Sequence, residues 1–447
     1  RYSSGSKVLN GTTPLSKFLY IGSLIAFTLL IVISYLVAYY KKSKAFDNIS
    51  KIDKKYTFVF IWFLLLIVAA RSAIRLVFIF SPIICLITAH LINTIYEKGV
   101  KASKTYLKII LVLLALALLI LPVNGTLVTF MQQTNNVVKY TGPSYNIQWQ
   151  QGMDWVRENT PEDAIFAHWW DYGYWVQTGG RRATITDGGH NVGYWDYLMG
   201  RHVLTAQNET EALEFLVSHN ATHLLMINDE IGKYSAYSSI GSDVEYDRFS
   251  WISTFNLDSS RSVERREDNL FFYGGGFVLD EDFIWENKLY PRSSAGIAAF
   301  LLPVAITETN GAVGQPIAVI VYGNQQVQVP VKCVEVEGKE INFEGEGIGG
   351  CLKMIMRING DMQEPIGAAL YVSEKVKRTL FSDLFLFEKE SENFKLAYTD
   401  GQRIMAYNGR LIGPLKIWEI SYPKGVKPKD QYIQTYFPKE LEAVVAR

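Results

Sequence analysis

Apolar residues form long runs over the first quarter of the chain and short, spaced groups after it. Residues 18–40 are almost wholly apolar, enough to cross a hydrocarbon core about 30 Å thick. The stretch from Tyr56 to Ile95 is too long for one crossing and divides near Ala70–Ser72; a further run spans Tyr106 to Val123. The pattern predicts about four transmembrane helices over residues 1–123. The loop after the first run carries Lys41, Lys42, Lys44, Lys51, Lys54 and Lys55, and the loop after the third carries Lys98, Lys101 and Lys104. Lysine-rich loops stay cytoplasmic. Residue 1 and everything after Val123 are therefore expected on the outer face of the membrane.

Beyond Val123 the periodicity becomes that of a water-soluble sequence. Trp149, Met153 and Val156 recur at helical spacing, and Pro161 closes that helix. Short strands are expected at Ala164–Ala167, Ala183–Thr186 and His223–Ile227, with a helix around Glu209–Ser218 between the last two. Alternation of this kind predicts a small α/β domain with a largely parallel sheet over residues 124–289. From about residue 290 short strands and Gly or Asn-Gly turns take over, so residues 290–447 are expected to be β-rich. Pro330 marks an edge strand there.

Each strand of the α/β region runs straight into polar residues: Trp169-Trp170-Asp171, Asp187-Gly188-Gly189-His190, and Asn228-Asp229-Glu230. Open α/β sheets bind ligands beyond the carboxyl ends of their strands. A parallel arrangement would gather these clusters at one edge.

The charge balance excludes one class of partner. With 44 basic and 44 acidic residues the net charge is zero, which argues against nucleic acid held by bulk charge. Three cysteines are few; Cys333 and Cys351 either pair, if that region meets an oxidising space, or remain core thiols. No His/Cys group has metal-ligand spacing. The chain opens on Arg1 rather than Met, without a signal pattern, and is expected to be part of a longer protein.

Residues 168–175, HisTrpTrpAspTyrGlyTyrTrp, are the most informative segment. An indole N–H only donates and an ionised carboxylate only accepts, so Trp169, Trp170 and Asp171 together suit a hydroxyl, which does both. An aromatic patch that stacks on sugar rings is the other reading of the same residues. Arg75 lies within apolar surroundings and either contacts an anionic ligand or snorkels to the nearby surface.

Trp169-Trp170-Asp171-Tyr172-Gly173 resembles the signature of the catalytic subunits of asparagine-linked oligosaccharyltransferases, which include the archaeal AglB and bacterial PglB enzymes. The order of spans before an outward-facing carboxyl-terminal domain is similar too, and the archaeal branch is the expected one. The resemblance implies that Trp169, Trp170 and Asp171 bind the Ser/Thr hydroxyl of an Asn-x-Ser/Thr acceptor polypeptide. It implies that Arg75, in its Arg75-Leu76 context before Pro82, contacts the phosphate of a lipid-linked oligosaccharide. A second sequon-reading helix of the form Asp-x-x-Lys-x-x-x-Met/Ile is matched by Glu230 and Lys233 followed by Tyr237. Either Asp229 takes the acidic role by a local shift, or Ile240 supplies the apolar contact.

The resemblance also implies a catalytic Mg2+ or Mn2+ held by acidic residues of an amino-terminal half. The only acids before residue 124 are Asp47, Asp53 and Glu97, and Asp280-Glu281-Asp282 reads as a solvated turn. No catalytic or metal-binding residue is therefore assigned to this chain. The expectation is a multi-pass protein of the cell membrane, with its carboxyl-terminal domain outside. It would carry the sequon-reading part of a dolichyl-phosphooligosaccharide-protein glycosyltransferase. The alternative is a non-catalytic sequon- or carbohydrate-binding membrane protein. Asn-x-Ser/Thr sequences at Asn10, Asn48, Asn124, Asn208 and Asn220 make all but the cytoplasmic Asn48 candidates for modification.

Overall fold

The computed structural model describes residues 22–41, 53–72, 77–120, 127–266, 268–305 and 312–441. The chain divides into two compact units, Arg1–Gly142 and Pro143–Arg447. Arg75, Asn10, Asn48 and Asn124 lie outside the described residues.

The first unit is helical: α1 (Ser23–Tyr40), α2 (Lys54–Ser72), α3 (Val77–Val100), α4 (Thr105–Ile120) and α5 (Leu127–Thr141). Within it α3 packs on α2 and α4. One stretch, Phe78–Val100, is a helix long and apolar enough to cross a membrane, and Thr105–Ile120 is a shorter apolar helix. The apolar side chains turn outward rather than into a core, Phe78 being 84% and Leu65 66% exposed. Helix α5, with Gln132, Gln133, Asn135 and Asn136 in its middle, has no counterpart in the sequence reading.

The second unit contains two large sheets. Helix α6 (Ile147–Asn159) opens it, capped by Asn146, whose Oδ1 accepts the Trp149 N–H at 3.1 Å. Its buried face is Trp149, Met153 and Val156. Strands β1 (Ile165–Ala167), β2 (Ala183–Thr184) and β3 (His223–Ile227) are parallel, with β1 in the middle. Every residue of β3 is buried, as expected of a strand covered on both faces. Helix α7 (Gly193–Met199) and helix α8 (Glu209–Ser218) follow β2, and helix α9 (Asp229–Ile240) follows β3 directly. Two strands from far along the chain complete this sheet: Leu415–Ile420 pairs antiparallel with β3, and Phe394–Thr399 with Leu415–Ile420.

The other sheet has twelve strands and is mainly antiparallel. It begins at Ser253–Leu257 and includes Asp268–Val278, well before residue 290, and its strands reach eleven residues. Phe255, Tyr273 and Phe300 centre its core. Gln325–Pro330 is its edge strand, where a missing N–H costs no ladder bond. Cys333 and Cys351, on strands Cys333–Val336 and Cys351–Asn359, are disulfide-bonded. Asp280 is not a freely solvated acid: its Oδ2 accepts the hydroxyls of Ser250 at 2.6 Å and Ser373 at 2.5 Å.

Candidate functional site at the carboxyl edge of the parallel strands

Because β1, β2 and β3 run parallel, all three carboxyl ends meet one edge of the sheet. The chain leaves β1 through His168 and Trp169 and winds into the helical turns Trp170–Tyr172, Gly173–Trp175 and Val176–Gly180. Gly173 has ordinary right-handed helical angles (φ −54°, ψ −48°). It is required for closeness instead: a Cβ there would lie 2.6 Å from Asp187 Cα and 2.7 Å from the Thr186 oxygen. The glycine thus lets the turn after β1 rest against the turn after β2.

Trp169 is 1% exposed and packs between Trp170 and Tyr237, with ring centroids 6.0 and 5.8 Å away. Trp170 is half-buried and meets the His190 ring edge-on at 4.2 Å. Its indole N–H has no hydrogen-bond partner. His168 donates from Nδ1 to the Trp169 oxygen at 2.8 Å, which leaves Nε2 as a buried acceptor without a partner. Burial pushes the His168 pKa down to about 4, so the ring stays neutral.

Helix α9 brings Lys233 to this edge. Its ammonium lies 3.1 Å from Asp171 Oδ2 and 2.7 Å from Asp229 Oδ2. It also sits 4.8 Å from the centre of the Tyr172 ring. The Tyr172 hydroxyl donates to Asp229 Oδ2 at 3.0 Å. Burial works against the Lys233 charge, but its hydrogen bond and attraction to Asp229, then Asp171, outweigh this and hold its pKa above the lysine range. The side chains of Asp171 and Lys233 keep 26% and 31% exposure, so a ligand can reach both.

The two acids that open α9 face different ways. One residue turns the helix by about 100°, and Asp229 faces Lys233 while Glu230 is wholly buried. Glu230 Oε2 accepts the Ile227 N–H at 2.9 Å, and Oε1 has no partner. Burial raises its pKa to about 8, against the pull of the Ile227 N–H and Lys233. Lys233 therefore takes its ion pairs from Asp229 and Asp171, and Glu230 sits behind the site. Tyr237 is buried against Trp169, whereas Ile240 is 40% exposed. Among the described residues no group of three or more His, Cys, Asp or Glu side chains could hold a metal ion.

Of the two acids left open for the second motif, Asp229 rather than Glu230 pairs with Lys233, and Tyr172, within the first motif, joins the site through its hydroxyl. The signal for Asp229 was its i, i+4 spacing from Lys233. Of the possible modification sites, Asn208 and Asn220 are exposed, and Asn208 caps α8 by accepting the Glu211 N–H at 2.9 Å.

An aromatic pair and an ion-paired lysine thus meet at the carboxyl edge of the parallel strands. Residues 161–266 match the family model described as STT3/PglB/AglB core domain, so this segment resembles that family's core. Dolichyl-phosphooligosaccharide-protein glycotransferase 1 of Pyrococcus furiosus is 33% identical over 95 residues, 21% of this chain and 10% of the relative. Its counterpart from Pyrococcus horikoshii is 27% identical over 175 residues, 36% of this chain and 16% of the relative. The matched segments thus span a small part of each relative's length. The apo Archaeoglobus fulgidus oligosaccharyltransferase structure aligns with 88% of this chain and 38% of its own, at 15% identity and a TM-score of 0.44.

Proposed function

We propose that this chain supplies the acceptor-reading part of an enzyme that transfers a lipid-linked oligosaccharide to the asparagine of Asn-x-Ser/Thr. The carrier would be a dolichyl phosphate or diphosphate, and the acceptors secreted or membrane polypeptides. The observation that carries the reading is the Trp170, Asp171 and Lys233 cluster at the carboxyl edge of the parallel strands. Trp170 has a buried indole N–H without an acceptor, which a ligand reaches only if the indole shifts, and Asp171 beside it is a partly exposed carboxylate. A Ser or Thr hydroxyl could accept from the first and donate to the second. Lys233 fixes Asp171 through its ion pair, and Trp169 forms the buried wall behind. Glu230 holds the end of β3 to the start of α9 through the Ile227 N–H.

The transfer step itself is assigned, in this proposal, to the intact enzyme. In such an enzyme a divalent metal would polarise the leaving phosphate. Helices α1 to α4 are proposed to lie in a cell membrane, with Pro143–Arg447 on the extracytoplasmic side. The outward apolar side chains, the lysine-rich loops and the Cys333–Cys351 bond support this placement. Arg75 is proposed to contact the lipid phosphate from within that unit.

The test is peptide binding to the full chain in detergent micelles. An Asn-Ala-Thr peptide should bind about 5- to 100-fold more tightly than Asn-Ala-Ala, the effect of one hydroxyl in a site built for it. Equal affinities would remove the sequon reading.

A further inference from the structure

Beyond the end of β2 lies a cavity of about 200 Å³ whose lining includes Thr186, Asp187, His190, Asn191 and Asp196. It touches the site without being part of the hydroxyl-binding cluster. His190, on its wall, meets the Trp170 ring at 4.2 Å, and the Thr186 hydroxyl donates to the His168 oxygen at 3.0 Å.

Size and charge restrict what can enter. At ~30 Å³ per liquid water molecule the cavity holds roughly seven waters, and pockets for whole small ligands start at about 300 Å³. One extended side chain suits it better. Two carboxylates line the cavity and no lysine or arginine does. Asp187 accepts the Gln177 amide at 2.8 Å and the Gly189 N–H at 2.7 Å, and these bonds, the amide first, hold it below the usual carboxylate range. A carboxylate offers about four acceptor positions, so it can take further donors. Asp196 is buried and bonded to His190 Nδ1 at 2.7 Å. Asn191 stands exposed at the rim.

We propose that this cavity is a subsite for a lysine or arginine side chain of the acceptor polypeptide, close in sequence to the asparagine. Asp187 is the main charge partner, and the Asp196–His190 pair sets the inner wall. The proposal rests on the sequon reading, since only a peptide held at Trp170 would bring a neighbouring residue to the cavity.

The experiment uses the full chain in detergent micelles and labelled Asn-Ala-Thr peptides, with Lys, Glu or Ala scanned through the positions on either side. At one flanking position Lys should bind about 3- to 10-fold more tightly than Glu, and the difference should shrink as salt rises. The Asp187→Asn variant should lose most of that preference. Asn191→Asp should enlarge it, which a misfolded protein could not do. If Thr is preferred over Ala but no flanking position distinguishes Lys from Glu, the subsite is refuted while the sequon reading stands. A Lys preference left unchanged by both variants also refutes it. If Thr is not preferred over Ala, both ideas fall together.

Discussion

The two sheets of residues 143–447 use their strands differently. In the smaller one β1, β2 and β3 are only three, two and five residues long and parallel, and each ends in polar residues at the same edge. In the larger one most neighbours are antiparallel and strands reach eleven residues, so successive turns fall on opposite edges. Parallel order concentrates chemistry; antiparallel order disperses it. Trp170, Asp171, Asp187, His190, Asp229 and Lys233 accordingly come together from three separate segments, while the twelve-stranded sheet contributes a core and a disulfide.

The comparison breaks if damage to the larger sheet changes recognition. Phe300→Ala removes a fully buried ring that meets Phe255 edge-on at 4.7 Å, and should cost about 3–5 kcal/mol in denaturant unfolding. The folded fraction should bind an Asn-Ala-Thr peptide as the parent does. A change at the smaller sheet should do both kinds of harm. Gly173→Ala forces a methyl against the backbone of Thr186 and Asp187, at about 1–3 kcal/mol. Because it separates the turns after β1 and β2, peptide affinity should fall with it.

A smaller effect sharpens the division of labour within α9. Glu230 has its folded pKa raised to about 8, above the ordinary 4.5, mainly by burial. A raised carboxyl stabilises the fold below its unfolded pKa, and that contribution is lost as pH climbs through 8. Glu230→Gln keeps an acceptor for Ile227 and removes the titration. It should melt higher than the parent at pH 8.5 and alike at pH 4.5. A pH-independent difference would mean that Glu230 is not held as the neutral acid.

Much of this was legible because local pattern and tertiary demand agree. The β1, β2 and β3 runs are apolar and end abruptly in polar residues, and the helix expected around Glu209–Ser218 forms as α8. Other features were decided by distant partners. Nothing local in Leu415–Ile420 says that it joins β3, some 190 residues earlier in the chain, because pairing is a long-range property. Nor does local pattern say that the larger sheet starts at Ser253. The choice between Asp229 and Glu230 turned on a rotation of one residue about the helix axis, which packing of Tyr234 and Tyr237 sets and spacing to Lys233 only suggests. Nor does local pattern say why position 173 is glycine: its backbone angles suit any residue, and what it permits is the close approach of Thr186 and Asp187.

The most direct measurement is a cycle that pairs Trp170→Phe with the Asn-Ala-Thr and Asn-Ala-Ala peptides, using the full chain in detergent micelles. Phenylalanine keeps an aromatic ring against His190 and removes the unpartnered N–H, so stability should change little. The account predicts that Trp170→Phe weakens the Thr peptide by about 5-fold or more while leaving the Ala peptide nearly unchanged, a coupling of about 1 kcal/mol. If both peptides weaken equally, or neither does, Trp170 does not read the hydroxyl.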